Sequence, residues 1–259
     1  MLGEFLTVSR DAALTAGNLL MDYYGKTTGT LKADKSMVTE ADLEADKLIR
    51  ETLSSNFPGH SILSEESGME ARDDEYLWVI DPLDGTANFS ASVPFFAVSI
   101  ALVHRGIPLA GVVHAPFQGE LFHAVKGEGS FLNGKKLGIK NDLDLETSFL
   151  SFCNGADQEV RERMIRIYSR LKPLNNTVRH LGAPALELCY VAAGRFSAFI
   201  MPGAHSWDVA AGTLIVEEAG GIVSDFQRGA FTLTSADIMA AQHYLHEKLL
   251  KIVENALTT

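Results

Sequence analysis

Residues 78–89 have the sequence WVIDPLDGTANF, and this segment is the most informative in the chain. Its apolar first half predicts a strand that is buried on both faces and ends at Ile80, which places Asp81 at the strand end. Pro82 fixes the following turn, and a helix could begin near Asp84. The segment therefore predicts two aspartates that converge, one from a strand end and one from a first helical turn.

The same turn carries backbone amides that could bind an anion. Gly85 and Thr86 would lie in the first turn of the helix, where amides have no partner within the helix and favour a phosphate group. Mg²⁺ takes oxygen ligands, usually one or two carboxylates with water and phosphate oxygens. Asp81 and Asp84 beside these amides thus indicate a metal and phosphate site. The alternative is that Asp84 is only a helix cap and Asp81 only a turn residue.

Hydrophobic spacing gives the order of the elements. Residues recurring at three- and four-residue steps predict helices over about residues 4–24 and 40–56. Strands are predicted near residues 60–64, 76–80, 97–103, 109–114 and 121–125, and a hairpin near 126–134. Farther on, strands near 149–152, 178–180, 196–201, 222–224 and 238–241 alternate with helices near 160–171, 183–193, 208–219 and 243–256. The pattern predicts an α+β lobe over residues 1–142 and an α/β lobe over residues 143–259.

Composition and charge narrow the possible partners. The 259 residues include 33 acidic and 22 basic side chains, which gives a net charge of −11. This charge argues against nucleic acid or an anionic membrane as a partner, because both require a basic surface. The first residues lack a secretory signal, and no stretch approaches the ~18 apolar residues of a transmembrane helix. The two cysteines lie in apolar surroundings, as free thiols do in a reducing compartment, so a cytoplasmic protein is predicted.

Further carboxylates could join the aspartates of residues 78–89. Glu65 and Glu66 follow a predicted strand, where ligands of sheet proteins gather. Asp42 fits a capping box with Thr39, and Asp208 opens a predicted helix, so each alone is explained as a cap. Taken as a set, however, these carboxylates would repel one another strongly unless cations lay between them.

These segments resemble the inositol monophosphatase family of metal-dependent phosphatases. The resemblance is carried, in the family's order, by Val38–Asp42, Leu63–Ser67, Trp78–Phe89 and Ser206–Ala210, and it spans about residues 5–250. It implies a layered αβαβα sandwich, usually a homodimer. It also implies hydrolysis of a small phosphate monoester by metal-activated water, with sensitivity to lithium.

The resemblance assigns roles to individual positions. Two to three Mg²⁺ ions would be held by Glu65, Asp81, the Leu83 carbonyl, Asp84 and Asp208. The catalytic residues would be Glu65 and Thr86, which orient the attacking water, and Asp42, which pairs with the Thr86 hydroxyl. The amides of Gly85 and Thr86 would bind phosphate. Substrate contacts would come from Asp84, Gly182, Ala183, Met201 and Asp208, with Glu66, Lys35, Arg179 and His205 as further candidates.

Inositol 1-phosphate is the leading substrate that the resemblance suggests, with fructose 1,6-bisphosphate and histidinol phosphate as alternatives. Two positions depart from the family pattern. Met201 stands where inositol-cleaving members usually have a Glu that contacts ring hydroxyls, and Pro184 replaces a small residue. Loss of the Glu could cost about 1–3 kcal/mol if the hydroxyls stayed buried. A non-catalytic, metal-binding or partner-binding relative is the remaining alternative, which the complete set of carboxylates disfavours.

Overall fold

The computed structural model describes residues 2–32, 37–72, 75–139, 144–155 and 157–258. The helices are α1 (Leu2–Tyr23), α2 (Glu40–Asn56), α3 (Thr86–Ser90), α4 (Gln158–Leu171), α5 (Pro184–Ala192), α6 (Ser206–Glu218) and α7 (His243–Leu257). The strands are β1 (Thr30–Leu31), β2 (Met37–Val38), β3 (Ser61–Ser64), β4 (Gly68–Glu70), β5 (Tyr76–Asp84), β6 (Ala97–His104), β7 (Ile107–Ala115), β8 (Glu120–Val125), β9 (Gly129–Leu132), β10 (Lys135–Lys136), β11 (Leu150–Phe152), β12 (Val178–His180), β13 (Ala198–Pro202), β14 (Ile222–Ser224) and β15 (Asp237–Ala241).

Two large sheets organise these strands. The first has the order β10-β9-β8-β7-β6-β5-β3-β4 and is antiparallel except for the parallel pair β3 and β5. The second has the order β12-β11-β13-β15-β14, with β11 parallel to both of its neighbours and β15 antiparallel to both of its own. The short strands β1 and β2 pair separately.

The helices and sheets stack in five layers. Helices α1 and α2 cover one face of the eight-stranded sheet, α5 and α6 lie between the two sheets, and α4 and α7 cover the outer face of the five-stranded sheet. Side chains along β6 alternate between the two faces of the large sheet and are apolar on both, which is why helices pack on each face. Val98, Ile100 and Leu102 join the core beneath α1 and α2, whereas Ala101 and Val103 join the core beneath α5 and α6. The predicted αβαβα sandwich is confirmed.

Helix α6 is enclosed by protein because it lies between the sheets. Every residue from Val209 to Val216 is buried, as expected for a helix that is apolar on all sides. The helix approaches β7 closely at Gly111, where a Cβ atom would lie 3.0 Å from the Cα atom of Ala211. Gly111 therefore permits the contact that fixes α6, and with it Asp208, against the large sheet.

Strand β5 departs from the prediction in an informative way. It was expected to end at Ile80, but it continues to Asp84 through Pro82, and its register with β6 shifts between Asp81 and Asp84. Proline cannot donate a ladder hydrogen bond, so a bulge is where a central strand can accommodate it. The bulge redirects the side chains that follow it. The helix predicted after the bulge is α3, which has only 5 residues.

Most other predicted elements are present with bounds that differ by no more than two residues, while the short strands β1, β2 and β4 were not predicted. The predicted division at residues 142 and 143 lies outside the described residues, and the two-lobe division stays a prediction. Among the described residues, no helix combines the length and apolarity needed to cross a membrane. Cys153 and Cys189 are both buried free thiols, as expected.

Candidate functional site

A cavity of ≈480 Å³ opens where the two sheets meet. The ends of β3 and β5, the start of α3, and the loops before α5 and α6 all contribute to its wall. Of the site residues predicted from sequence, those that line it are Glu65, Asp81, Leu83, Asp84, Gly85, Thr86, Gly182, Met201, His205 and Asp208. Tertiary structure thus gathers residues that are up to 143 positions apart, from Glu65 to Asp208, around one space.

Glu65 and Asp81 meet because their strands are parallel neighbours. Ser64 is in register with Ile80, so the residue after each lies at the same edge of the sheet. The Glu65 amide also donates to the Ile80 carbonyl at 3.1 Å, which extends the pairing by one residue. Glu65 and Asp81 therefore lie side by side in one sheet, although β5 continues past Asp81 to Asp84.

The β5 bulge brings Asp84 to the same cavity. The Leu83 amide donates to Asp81 Oδ1 at 3.0 Å, which holds the Asp81 carboxylate over the bulge. Asp84 Oδ2 accepts from the Leu186 amide at 3.0 Å, in the first turn of α5. Asp84 therefore links the large sheet to the middle helical layer, and both aspartates are only 2% exposed.

Thr86 carries the expected contact with Asp42. Its hydroxyl oxygen lies 2.9 Å from Asp42 Oδ1 and 3.0 Å from the Leu83 carbonyl oxygen. Asp42 Oδ2 accepts from the Thr39 amide at 2.9 Å, and also from the Thr39 hydroxyl. Asp42 is thus both the capping-box residue of α2 and the hydrogen-bond partner of Thr86, and its side chain reaches the cavity only through Thr86.

Asp208 reaches the cavity from the first turn of α6. It occupies the third position of α6, where its Oδ2 accepts from the His205 amide at 3.0 Å. This capping interaction leaves the second carboxylate oxygen available to the cavity. The predicted fourth carboxylate therefore comes from the layer that α6 fixes between the sheets.

Electrostatics show that these carboxylates are held in an unfavourable environment. Burial raises the pKa of Asp81 well above its ordinary value, and the charges of Glu65, Asp84 and Asp208 raise it further. Burial likewise raises the pKa of Asp84 well above the ordinary range and that of Asp208 to about 7. Clustered acids with raised pKa values are typical of functional sites, because positive charge or protons must compensate them.

The donor set suits a hard divalent cation. Glu65, Asp81, Leu83, Asp84 and Asp208 all line one cavity, and Mg²⁺ favours the carboxylate and carbonyl oxygen ligands that such residues carry. Across the described parts of the chain, no three His, Cys, Asp or Glu side chains converge into a preformed cage for an ion. Mg²⁺ does not require such a cage, since it usually keeps several waters and shares phosphate oxygens with the substrate. The residues therefore fit a cation shared between protein and substrate.

Sequence reasoning missed Lys32, which lines the cavity. Its Nζ lies 3.2 Å from Glu65 Oε1 and 2.6 Å from Glu66 Oε1. Burial raises the pKa of Glu65, and the Lys32 charge opposes that rise. Glu66 is held by this ion pair and does not line the cavity. The neighbouring candidate Lys35 lies outside the described residues; the lysine-rich segment before Thr39 was the available signal for Lys32.

The cavity wall around Met201 and Pro184 is largely apolar. Met201 and Pro184 line it, and the stacked rings of His205 and Trp207, with centroids 4.7 Å apart, border it. Asn154 adds a polar side chain from the loop after β11, a residue that sequence reasoning also missed. This side therefore offers few hydrogen-bonding groups to a substrate.

Two predicted substrate residues do not face the cavity. Ala183 is fully buried behind its neighbours, and its amide and that of Gly182 are directed toward Glu187 Oε1, at 3.4 and 3.0 Å. Arg179 is exposed, with its guanidinium 5.2 Å from the Phe149 ring centroid. Arg179 does not line the cavity, and β12, the strand that carries it, is at the edge of the second sheet.

Comparison with known proteins agrees with this architecture. The family model described as the inositol monophosphatase family matches residues 1–258. The chain is 38% identical to Nus factor SuhB of Pasteurella multocida, over 99% of this chain and 98% of that protein. It is 35% identical to a fructose-1,6-bisphosphatase/inositol-1-monophosphatase of Thermotoga maritima, over 93% and 92% of the two chains. The solved extragenic suppressor protein suhB of Bartonella henselae superposes with a TM-score of 0.92 at 34% identity, covering 97% of this chain and 98% of that one.

Fold and cavity define a layered phosphatase scaffold whose carboxylates point into one space. The chain belongs to the inositol monophosphatase family. One relative is named a Nus factor and another a fructose-1,6-bisphosphatase/inositol-1-monophosphatase. Family membership therefore establishes a phosphatase fold, and the substrate has to be argued from this cavity.

Proposed function

We propose that this protein is a Mg²⁺-dependent phosphatase that hydrolyses a small phosphate monoester, with inositol 1-phosphate as the leading substrate. The observation that carries the proposal is the gathering of Glu65, Asp81, Asp84 and Asp208 around one cavity beside the first turn of α3. Carboxylates with raised pKa values need positive charge, and a bound phosphate ester needs the same charge for its own oxygens.

In the proposed reaction, two to three Mg²⁺ ions held by these carboxylates and the Leu83 carbonyl would supply Lewis acidity and a nucleophilic hydroxide. The amides of Gly85 and Thr86 bind the phosphate oxygens. Gly85 suits this role because its φ is 90° and because a Cβ atom at this position would lie 3.0 Å from the Phe95 carbonyl oxygen, which leaves room only for glycine.

The chain's own residues would orient the attacking water. Glu65 lies at the cavity wall, and the Thr86 hydroxyl is within hydrogen-bond distance of Asp42. When the Thr86 hydroxyl donates its hydrogen bond to Asp42, a lone pair of the hydroxyl oxygen can accept a hydrogen bond from the water. Asp42 therefore sets the direction of the Thr86 hydroxyl, and Glu65 supplies the second acceptor for the water.

The charges around the cavity support a substrate with a single phosphate. Of the described residues that line the cavity, Lys32 is the one Lys or Arg, and it is engaged with Glu65 and Glu66. Arg195 does not line the cavity; it donates to Glu120 Oε2 at 2.7 Å, and its guanidinium lies 4.4 Å from the Tyr190 ring centroid. A second phosphate would thus lack a free cationic partner here, which favours inositol 1-phosphate or histidinol phosphate over fructose 1,6-bisphosphate.

Met201 and Pro184 affect the leaving alcohol. Neither offers an acceptor to a ring hydroxyl, so a polyol would keep fewer hydrogen bonds than it makes with water. We expect inositol 1-phosphate to be cleaved with a raised KM. Histidinol phosphate is the alternative substrate if the planar rings of His205 and Trp207 stack on its imidazole. The proposal also includes a cytoplasmic homodimer that lithium inhibits, with no nucleic-acid or membrane partner.

The test is phosphate release with and without Mg²⁺ from inositol 1-phosphate, histidinol phosphate, fructose 1,6-bisphosphate, 3′-phosphoadenosine 5′-phosphate and glycerol 2-phosphate. We expect Mg²⁺-dependent release, with the monophosphates ahead of both bisphosphates in kcat/KM. Preference for a bisphosphate would refute the argument from cationic residues. No release from any ester by a folded, Mg²⁺-binding protein would favour a non-catalytic binding role.

A further inference from the structure

Asp46 is a buried carboxylate outside the cavity. It lies on α2, one turn after Asp42, and it is 3% exposed. Both of its oxygens are used: Oδ1 accepts from the Ser64 hydroxyl and Oδ2 from the Ser67 hydroxyl. These two serines lie at either end of the Ser64–Ser67 turn that joins β3 to β4.

This turn contains Glu65 and Glu66. The Ser64 hydroxyl also accepts from the Glu66 amide at 3.4 Å, so a chain of hydrogen bonds runs from the Glu66 backbone through Ser64 to Asp46. From the other side, the Glu65 amide is bound to the Ile80 carbonyl at 3.1 Å. The backbone on both sides of the Glu65 side chain is therefore fixed, by β5 on one side and by Asp46 on the other.

The chemistry of Asp46 suits a clamp of two hydroxyl groups. An ionised carboxylate is an acceptor with two oxygens, so it can receive both serine protons at once, whereas an amide offers one acceptor and a donor. Arg50, one helical turn farther on, has a guanidinium nitrogen 3.7 Å from Asp46 Oδ2 and donates to the Ser67 hydroxyl at 3.2 Å. Arg50 thus offsets part of the cost of burying the Asp46 charge.

We propose that Asp46 is a positioning residue that holds Glu65 in the orientation needed for cation binding, acting through Ser64 and Ser67. The inference rests on the proposed function, because the role of Glu65 as a metal ligand is part of that proposal. Groups that orient a metal ligand typically change metal affinity or activity by about 10- to 100-fold when they are replaced. A residue that only stabilises the fold would leave the Mg²⁺ affinity of the folded protein unchanged.

The experiment measures Mg²⁺ binding to the full-length protein by isothermal titration calorimetry, without substrate, for wild type, Asp46→Asn, Ser67→Ala and Glu51→Gln. Glu51 is the matched control, since it is a carboxylate on the same helix with a side chain 69% exposed. We expect the Mg²⁺ dissociation constant to rise about tenfold for Asp46→Asn and about threefold for Ser67→Ala, and to stay within about twofold for Glu51→Gln. The Mg²⁺ concentration that gives half-maximal phosphate release should rise in the same proportion, with kcat at saturating Mg²⁺ near that of wild type.

A folded Asp46→Asn protein that binds Mg²⁺ like wild type would overturn the inference. Ser67 is exposed, so Ser67→Ala decides the question if Asp46→Asn does not fold: a threefold loss supports the clamp, and unchanged binding overturns it. The two proposals fail in different ways. A wild type that neither binds Mg²⁺ nor releases phosphate would overturn the proposed function and this inference together, whereas a Mg²⁺-dependent wild type with unaffected variants would overturn the inference alone.

Discussion

Replacing Asp84 by Asn should lower activity and raise the stability of the metal-free protein. Asp84 is 2% exposed, and its Oδ2 accepts from the Leu186 amide at 3.0 Å. Asparagine has nearly the same shape and can present its carbonyl oxygen to the same amide. The change therefore removes one buried negative charge while it keeps the link between β5 and α5.

The sign of the stability effect depends on pH. Burial, together with the charges of Asp208 and Glu65, raises the pKa of Asp84 well above its ordinary value. The native protein then holds a proton that the unfolded chain has released, so stability falls as pH rises from the ordinary Asp pKa toward the raised one. Because asparagine does not titrate, the variant does not lose stability in this way as the pH rises. In EDTA we expect a gain of about 1–3 kcal/mol at pH 8, which is roughly 3–8 °C in Tm, and little gain at pH 4.

The sign of the catalytic effect is opposite, since the proposed cations lose a ligand. Loss of this ligand should remove several kcal/mol of transition-state stabilisation and so lower kcat/KM about 10³-fold or more. Thermal unfolding in EDTA and in Mg²⁺, together with Mg²⁺-dependent phosphate release, measures both effects. Asp11→Asn, at an exposed position of α1, is the control and should change neither. An unchanged rate for Asp84→Asn would refute the assignment of the site, and a lower Tm in EDTA at pH 8 would refute the argument from charge repulsion.

Two further outcomes are expected. Thr86→Val should lower kcat about 10²-fold or more, because the hydroxyl that contacts Asp42 Oδ1 is lost. Thr86→Ser keeps a hydroxyl and should keep kcat within about fivefold of wild type. Equal rates for the two variants at saturating Mg²⁺ would be inconsistent with a role for the hydroxyl. Burial, aided by the charge of Arg10, lowers the pKa of His123 to about 4, so the native state binds fewer protons than the unfolded chain between pH 6.5 and 4. His123 should therefore contribute stability that is complete above pH 6.5 and is lost as pH falls to 4. Because the ring is only partly buried and solvent screens it, we expect this loss to be about 1–2 kcal/mol. Denaturant titrations of wild type and His123→Gln should diverge over that interval, and parallel curves would argue against the neutral imidazole.

Much of the architecture follows from local pattern. The helical spacing of α1, the capping box at Thr39 and the apolar run of β5 each specify their element through short-range physics, namely side-chain periodicity and hydrogen bonds to nearby amides. The same local signals located Asp81, Asp84 and Asp208. Resemblance to a known family, rather than periodicity, supplied the αβαβα order of the layers and the proposed roles of these residues.

Long-range packing decided what the sequence left open. Pro82 indicated a turn, but β5 continues past it as a bulge, because its pairing with β6 resumes at Asp84 after the register shift that follows Asp81. Arg179 and Met201 lie on strands of the same sheet, yet only Met201 lines the cavity. Strand order determined this difference, since β12 is an edge strand and β13 lies inside the sheet, under α5.

The sequence by itself determined which residues carry charge, which segments form helices and strands, and that several carboxylates occupy positions at their ends. Tertiary structure alone decided that Lys32 meets Glu65 and that Asp46 clamps the turn containing it. The physical reason is that the residue pattern of a helix or strand reflects only interactions between residues that are close together along the chain. Contacts between α2, the β3–β4 turn and the Lys32 segment depend on how separate layers pack, and no local pattern encodes the distance between them.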